Sequence, residues 1–506
     1  MISGGLKMNL IKELNIKNRY SIKIKASNDI SENTILECIE SPERFHDIGG
    51  FYSIIIKDIE KDEYILVSDI TSTNKIYYKK DHTFASFDIN IPEKTPVELS
   101  EKAIRYYLKY RYIPSPYCFY KYYRTLEPGV VLKIKKNKDE EVLSKYKIRF
   151  MKRDITFNDF KKEIEEVVKD SLKNIKKRDS GIFLSGGMDS SAVLYLLRKN
   201  CPDIPLKAFS VLFPGEKYDE DDFSDYVSEK TGVEREIFKL YPQDFIDFWQ
   251  SIPDIFPQPV STHTGAAYYK VARNTEVEHI FSGMGGDELF GGDIKYFHCE
   301  KLRKFKENME TNGLKNDIEP FEEFLGFVSF NDDEIRPQII EQKELLDQLT
   351  WFNMRYWQTE YENYVINNIC EKTGKRHIAL YTDKNFIEMA TSIDNELKIR
   401  GYVQRYVYRK WIETIFGKDF AFRPSQGFSA PLNRFFKNEL KVFLEDSIES
   451  LCKRQVLKKI IDEKYIKNTL KELYSGKNVY NILLIHLILE MYMKGFEKNE
   501  NTVHIS

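Results

Sequence analysis

The stretch Ile182-Phe183-Leu184-Ser185-Gly186-Gly187-Met188-Asp189-Ser190-Ser191 limits the folds open to this chain more than any other. Its apolar start reads as a buried strand, the Ser/Gly run as a turn, and Ala192 to Lys199 as a helix. A strand that turns straight into a helix leaves backbone N–H groups and the helix N-terminus facing outward, a cradle for phosphate oxygens. Gly186 and Gly187 let the backbone approach an anion closely. Ser185 and Ser190 add hydroxyl donors, and Asp189 supplies a carboxylate suited to holding Mg²⁺ against phosphates. The alternative is an ordinary strand–turn–helix junction. A Walker A loop is excluded, because Gly-x-x-x-x-Gly-Lys is absent.

The surrounding sequence supplies the rest of such a fold. Phe157 to Ile175 has helical periodicity, with Phe160, Ile164, Val167, Val168 and Leu172 on one face. Leu206 to Phe213 and Glu236 to Leu240 read as strands, separated by an acidic helix from Asp219 to Lys230, and Tyr268 to Arg273 lies in a helix. Strands alternating with helices predict α/β architecture with a doubly wound parallel sheet, its ligand beyond the carboxyl ends of the strands. Ile482 to Met493 reads as a buried helix, too short and too interrupted by His486 and Glu490 to span a bilayer. The first 150 residues read differently. Ser21–Lys25, Tyr52–Lys57, Glu63–Ser68, Phe84–Ile91 and Val130–Ile134 have strand character, Lys61-Asp62 reads as a hairpin tip, and Val97 to Arg111 as a helix opened by Pro96. That is an α+β unit, so two domains are expected, over 1–150 and 151–506.

Lys and Arg number 77 against 79 Asp and Glu, a formal charge of −2 with both signs interspersed. Nothing there calls for nucleic acid or an anionic membrane surface. The six cysteines are scattered without a Cys-x-x-Cys pair, which argues against a disulfide framework or zinc ribbon and suits a reducing cytoplasm. No secretory signal pattern opens the sequence.

The order Ser-Gly-Gly-x-Asp-Ser resembles the pyrophosphate loop of ATP pyrophosphatases, and a second loop narrows the resemblance. Phe281-Ser282-Gly283-Met284-Gly285-Gly286-Asp287-Glu288-Leu289-Phe290-Gly291-Gly292 resembles the second signature of asparagine synthetases. Gly49 to Ser53, Ser68 to Ile70, Lys75 to Tyr78, Tyr112 to Pro116 and Leu126 to Gly129 resemble the later part of that family's glutaminase domain, an Ntn-hydrolase fold. The resemblance implies that ATP and Mg²⁺ bind on Ser185, Gly186, Gly187, Asp189 and Ser190, with Asp189 and Asp287 as the metal pair and Gly283 near the nucleotide. Ala208 to Val211 resembles the adenine-side strand, which implies contacts from Ser210 and Val211; a plain core strand explains the same residues. A substrate carboxylate would be adenylated with release of pyrophosphate, and ammonia or an amine would displace AMP.

Three departures qualify that picture. The family's glutaminase nucleophile is an N-terminal cysteine, whereas Ile2 follows Met1 here and the first cysteine is Cys38, so a degenerate domain without glutaminase activity is expected. Met284 stands where asparagine synthetases carry Glu and β-lactam synthetases Tyr, and Met accepts no proton. In Arg423-Pro424-Ser425-Gln426-Gly427-Phe428, Ser425 stands where the family has Lys. Arg423 is the nearest cation and is expected to replace it as a catalytic residue, with a structural salt bridge as the alternative. Asp383 in Tyr381-Thr382-Asp383 is kept from a family turn, and Arg405 with Arg409 would place two cations on one helical face. The expectation is an amide-forming synthetase acting on a small-molecule or peptide carboxylate, with homodimerisation left open. Lactam or lasso-peptide cyclases and a catalytically reduced nucleotide-binding scaffold are the alternatives. A tRNA-thiolating pyrophosphatase would bring paired cysteines and a basic stripe, and has neither here.

Overall fold

The computed structural model describes residues 11–506 except 73, 82, 90, 137–138, 174–177, 216–219, 293–343 and 425–429. In the amino-terminal part, six strands form an antiparallel sheet: Lys12–Ile16, Tyr20–Ala26, Tyr52–Asp58, Glu63–Ser68, Val130–Ile134 and Glu140–Lys145, in that order across the sheet. Tyr52–Asp58 is central and buried on both sides. Ile54 and Ile56 face a core with Phe45 and Ile35, while Ile55 faces one with Leu66 and Ile76. The expected tip is present: Asp58 pairs with Glu63, and Asp62 adopts a φ of 53°. Cys38 lies buried in the helix Glu32–Glu40, its thiol pushed up to about 11 mainly by burial.

Two expectations here need correction. The helix predicted from Val97 begins only at Glu101 and runs to Tyr110, capped by Ser100, whose hydroxyl accepts from the Ala103 N–H at 3.3 Å. Val97–Leu99 is instead a strand, paired in parallel with Val503–Ile505 at the far end of the chain. Among the described residues of Phe84–Ile91, only Ala85–Ser86 is strand.

The second part is built on five parallel strands, in the order Arg235–Lys239, Leu206–Leu212, Ser180–Phe183, His279–Ser282, Arg376–Ala379. The last was not anticipated. Consecutive strands are laid down outward from Ser180–Phe183 to one side, then His279–Ser282 joins on its other side. The crevice between those two strands is therefore the point where strand order reverses, where ligands of such sheets bind. His377, inside the sheet, hydrogen-bonds Ser282 Oγ and Asn367 Oδ1, both at 2.7 Å, and burial pushes it down to about 3.

The two parts share a core. Tyr107 donates to the Ile485 carbonyl at 2.7 Å, inside the buried helix Tyr480–Lys498 expected from sequence. Lys75 and Glu360 form a fully buried ion pair, and Arg355 links Glu360 at 3.1 Å to Glu127 at 3.0 Å. Among the described residues, no helix is long and apolar enough to cross a membrane.

Candidate active site

The first loop leaves the strand Ser180–Phe183 and enters a helix that starts earlier than expected, at Met188, and ends at Asn200. Asp189 and Ser190 thus sit in its first turn. Gly186 takes a φ of 80°, and Gly187 is the N-cap without a side-chain cap, which leaves the first N–H groups to other acceptors. Ser185 is exposed, with its hydroxyl 3.2 Å from Ser190 Oγ and accepting from the Gly187 N–H at 3.2 Å. Ser190 Oγ also accepts from the Ser185 N–H at 3.2 Å.

The second loop closes on the first at the switch point. A Cβ at Gly283 would lie 2.5 Å from the Ser190 nitrogen, so the absence of a side chain there lets the two loops pack closely. Cβ atoms at Gly286 and Gly292 would lie 2.2 Å from Asp189 Oδ1 and 2.0 Å from Asp287 Oδ1. The glycines make room for the carboxylates. Both carboxylates converge on the buried Arg405: its Nη1 is 2.9 Å from Asp189 Oδ2 and also bonds Asp287 Oδ1, while Nη2 bonds Asp189 Oδ1. Two hard carboxylate donors converging from separate loops fit Mg²⁺. Among the described residues, no third His, Cys, Asp or Glu joins them in a cluster suited to a metal.

Arg405 corrects the sequence reading. It precedes the helix Tyr406–Phe416 as an N-cap with a φ of 57°, and so does not share a helical face with Arg409. Arg409 bonds the carbonyls of Gln404, Ala421 and Arg423, a structural set. Arg423 reaches the pyrophosphate-type loop: its Nη2 donates to the Gly186 carbonyl, and its guanidinium stacks 3.6 Å from the Phe223 ring centroid and 4.5 Å from that of Phe420. Ser210 is buried, donating to the Leu184 carbonyl at 2.6 Å and accepting from Arg235 Nε at 2.9 Å. Its hydroxyl is engaged within the sheet. Val211 and Met284 are half-buried apolar residues packed against one cluster with Phe183 and Tyr268. Asp383 caps the helix Lys384–Ser392 and accepts from Ser171 Oγ at 2.8 Å, a structural role. Ser425 lies outside the described residues.

Sequence reading missed Glu362. It sits on a π-helical segment, Asn353–Asn363, and burial pushes its carboxyl up to about 7, opposed by the Arg111 charge. Its charge acts on Tyr268, whose ring is 4.8 Å from that of Phe183, the last residue before the first loop's Leu184. The available signal was a group of acids, Glu360 and Glu362, within an aromatic and apolar run.

Comparison with known proteins agrees with the two-part architecture. The asparagine synthase family model matches residues 160–494, and the glutamine amidotransferase domain model matches residues 16–147. A glutamine-hydrolyzing asparagine synthetase of Bacillus subtilis is 23% identical over 401 residues, 70% of this chain. The match spans 62% of that protein's own length, less than two thirds of it. A Methanocaldococcus jannaschii protein assigned as a second glutamine-hydrolyzing asparagine synthetase is 26% identical over 65% of this chain and 68% of its own. With a family model spanning most of the chain and the two signature loops meeting at the switch point of its parallel sheet, this protein belongs to the asparagine synthase family.

Proposed function

We propose that the protein is an ATP-dependent, AMP-forming carbon–nitrogen ligase that adenylates a substrate carboxylate and transfers it to ammonia or an amine. The observation that carries this reading is the convergence of Asp189 and Asp287 beside the glycine-cradled N-terminus of the helix Met188–Asn200. ATP would lie with its phosphates on Ser185 to Ser190, and Mg²⁺ held by Asp189 and Asp287 would neutralise phosphate charge. The substrate carboxylate attacks the α-phosphorus, and pyrophosphate leaves into the first loop. Arg423, whose guanidinium donates to the Gly186 carbonyl of the first loop, would stabilise that departing charge in place of the family lysine. The nitrogen nucleophile then attacks the acyl carbon and AMP leaves. Met284 offers no base, so the amine's proton has to pass to another group or to solvent.

The nitrogen is proposed to come from ammonia or an amine rather than from glutamine hydrolysed on this chain. Burial holds the thiols of Cys38 and Cys118 up at about 11 and about 12, far from a reactive thiolate. One observation favours a second reading, a nucleotide-binding scaffold with little turnover. Arg405 already engages both candidate metal carboxylates. ATP–pyrophosphate exchange with labelled pyrophosphate decides between them, screening Asp and other carboxylates with full-length protein beside Asp189→Ala. Exchange that depends on one carboxylate and is lost in the variant supports the ligase. MgATP binding without exchange for any carboxylate supports the scaffold.

A further inference from the structure

Arg409 and Arg423 donate to backbone carbonyls, whereas Arg405 is spent on the two carboxylates. It follows the short antiparallel pair Ile399–Arg400 and Val403–Gln404 and takes its left-handed φ of 57° just before the helix Tyr406–Phe416. Its side chain is 4% exposed and runs past Gly292, where a Cβ would lie 2.7 Å from Arg405 Cδ. The guanidinium bridges the two loops, with Asp189 and Asp287 on its Nη atoms and its carbon 4.5 Å from the Tyr408 ring centroid. Tyr408 ties this seat to both loops. Its ring stacks at 4.7 Å on Phe290, which ends the helix Gly286–Phe290. Its hydroxyl is 2.6 Å from that of Tyr381, which donates to the Asp189 carbonyl at 3.4 Å. Arg405 Nε, also buried, has no hydrogen-bond partner among the described residues. Attraction to the two carboxylates, rather than complete hydrogen bonding, holds the guanidinium in place.

We propose that Arg405 is a positioning residue of the metal pair. It holds Asp189 and Asp287 together, competes with a free divalent cation for them, and yields to metal that arrives with a nucleotide. The inference rests on the reading of those two carboxylates as metal ligands. Left alone, two neighbouring carboxylates repel each other, and a guanidinium shared between them cancels that repulsion. The competition is direct, because Arg405 engages both oxygens of Asp189 and Oδ1 of Asp287, the atoms a metal would need. Local charge sets when the guanidinium gives way. Arg409 senses the charges of Arg405, Asp287, Asp189 and Arg423, so the two carboxylates lie among three guanidiniums. A bare divalent cation would add to that positive surplus and strand a buried guanidinium without its partners, which is costly. A metal–nucleotide complex brings net negative charge and phosphate oxygens that guanidinium binds well. Mg²⁺ is commonly held in this manner, by one or two carboxylates together with substrate phosphates. On this account the contact of Arg405 with both carboxylates is a resting state of a working site.

Titration of the full chain with Mn²⁺, followed by loss of the free ion's paramagnetic resonance signal, tests this without turnover. In the absence of nucleotide, Arg405→Gln should bind Mn²⁺ about tenfold or more tightly than wild type, the equivalent of the charged hydrogen bonds removed. The gain should disappear when Asp189→Asn is added, and shrink in Arg405→Lys, which keeps the charge without the planar fork. Mn²⁺ alone should raise the melting temperature of Arg405→Gln and leave that of wild type unmoved, whereas Mn²⁺ with α,β-methylene-ATP should raise both. A residue that only supports the fold would lower stability on substitution without creating a metal site. Equal or weaker Mn²⁺ binding in Arg405→Gln overturns the proposal, as does a gain that survives Asp189→Asn. Wild-type protein stabilised by Mn²⁺ alone as much as by Mn²⁺ with the analogue also overturns it. If Arg405→Gln does not fold, Arg405→Lys decides by the same criteria, with an expected gain of about threefold. Absence of ATP–pyrophosphate exchange in wild-type protein refutes the ligase reading, and the titration still decides the contact.

Discussion

Asp189 and Asp287 are separated by nearly a hundred residues of chain and meet on one guanidinium, so their carboxylate geometry depends on what surrounds them. The glycines opposite are the sharpest probe. Gly286→Ala would put a methyl 2.2 Å from Asp189 Oδ1, and the carboxylate has to move. Misplacing a reacting group by about 1 Å costs on the order of 100-fold, so exchange should fall by about that factor with little change in thermal stability. Activity within threefold of wild type would detach Asp189 from the chemistry. Arg423→Ala removes a charged hydrogen bond to the first loop, worth about 1.5–3 kcal/mol, and exchange should drop about 10- to 100-fold. A stability loss with unchanged exchange would make Arg423 the structural residue that its stacking on Phe223 and Phe420 also allows. Both loops were legible because glycine and small polar residues at fixed spacing leave a direct trace in sequence. The pairing of Arg405 with both aspartates and the state of Glu362 were not. Arg405 acts through a left-handed N-cap that no helical wheel anticipates, and Glu362 acquires its character from burial supplied by distant segments.

At the scale of elements, strands sandwiched between two cores and helices with one apolar face were predictable, and junctions less so. Val97-Glu98-Leu99 was absorbed into the helix that follows because its partner, Val503–Ile505, lies at the opposite end of the chain. Arg376–Ala379 was missed for a related reason: it carries a histidine whose polarity is satisfied by Ser282 on the neighbouring strand and Asn367 on the helix Tyr364–Lys372. The π-helical segment Asn353–Asn363 shows what such elements depend on. Glu360 is locked between Lys75 and Arg355, with Arg355 passing on to Glu127. Lys75→Met leaves a buried carboxylate with one partner fewer, and breaking such a pair costs about 3–5 kcal/mol. A lower urea midpoint should reveal it. Lys75→Met combined with Glu360→Gln should recover much of the loss, because Arg355 keeps Glu127. An additive double variant would mean that the pair is not coupled as the geometry requires.

Across the whole molecule, the response to acid is a contest between desolvated groups of opposite sign. His377 and His263 are held neutral, down at about 3 and about 4, so the unfolded chain binds more protons below pH 6.5 and stability falls as pH drops. By pH 5 each costs about 2 kcal/mol relative to neutral solution. Glu362, held up at about 7, works the other way: the folded state keeps its proton where the unfolded chain has lost it, returning about 2–3 kcal/mol between pH 8 and 5. A wild-type profile alone hides both terms, and single variants separate them. His377→Gln should flatten the fall in urea-unfolding free energy between pH 7.5 and 5 by about 2 kcal/mol. Glu362→Gln should steepen it by a similar amount, while making the protein more stable at pH 8. An unchanged slope in His377→Gln would mean that the imidazole protonates within the fold despite its burial between Ser282 and Asn367 on the edge strand of the parallel sheet. The two slopes therefore report on separate places: the parallel sheet that carries the two signature loops, and the π-helical segment Asn353–Asn363 that carries Glu362.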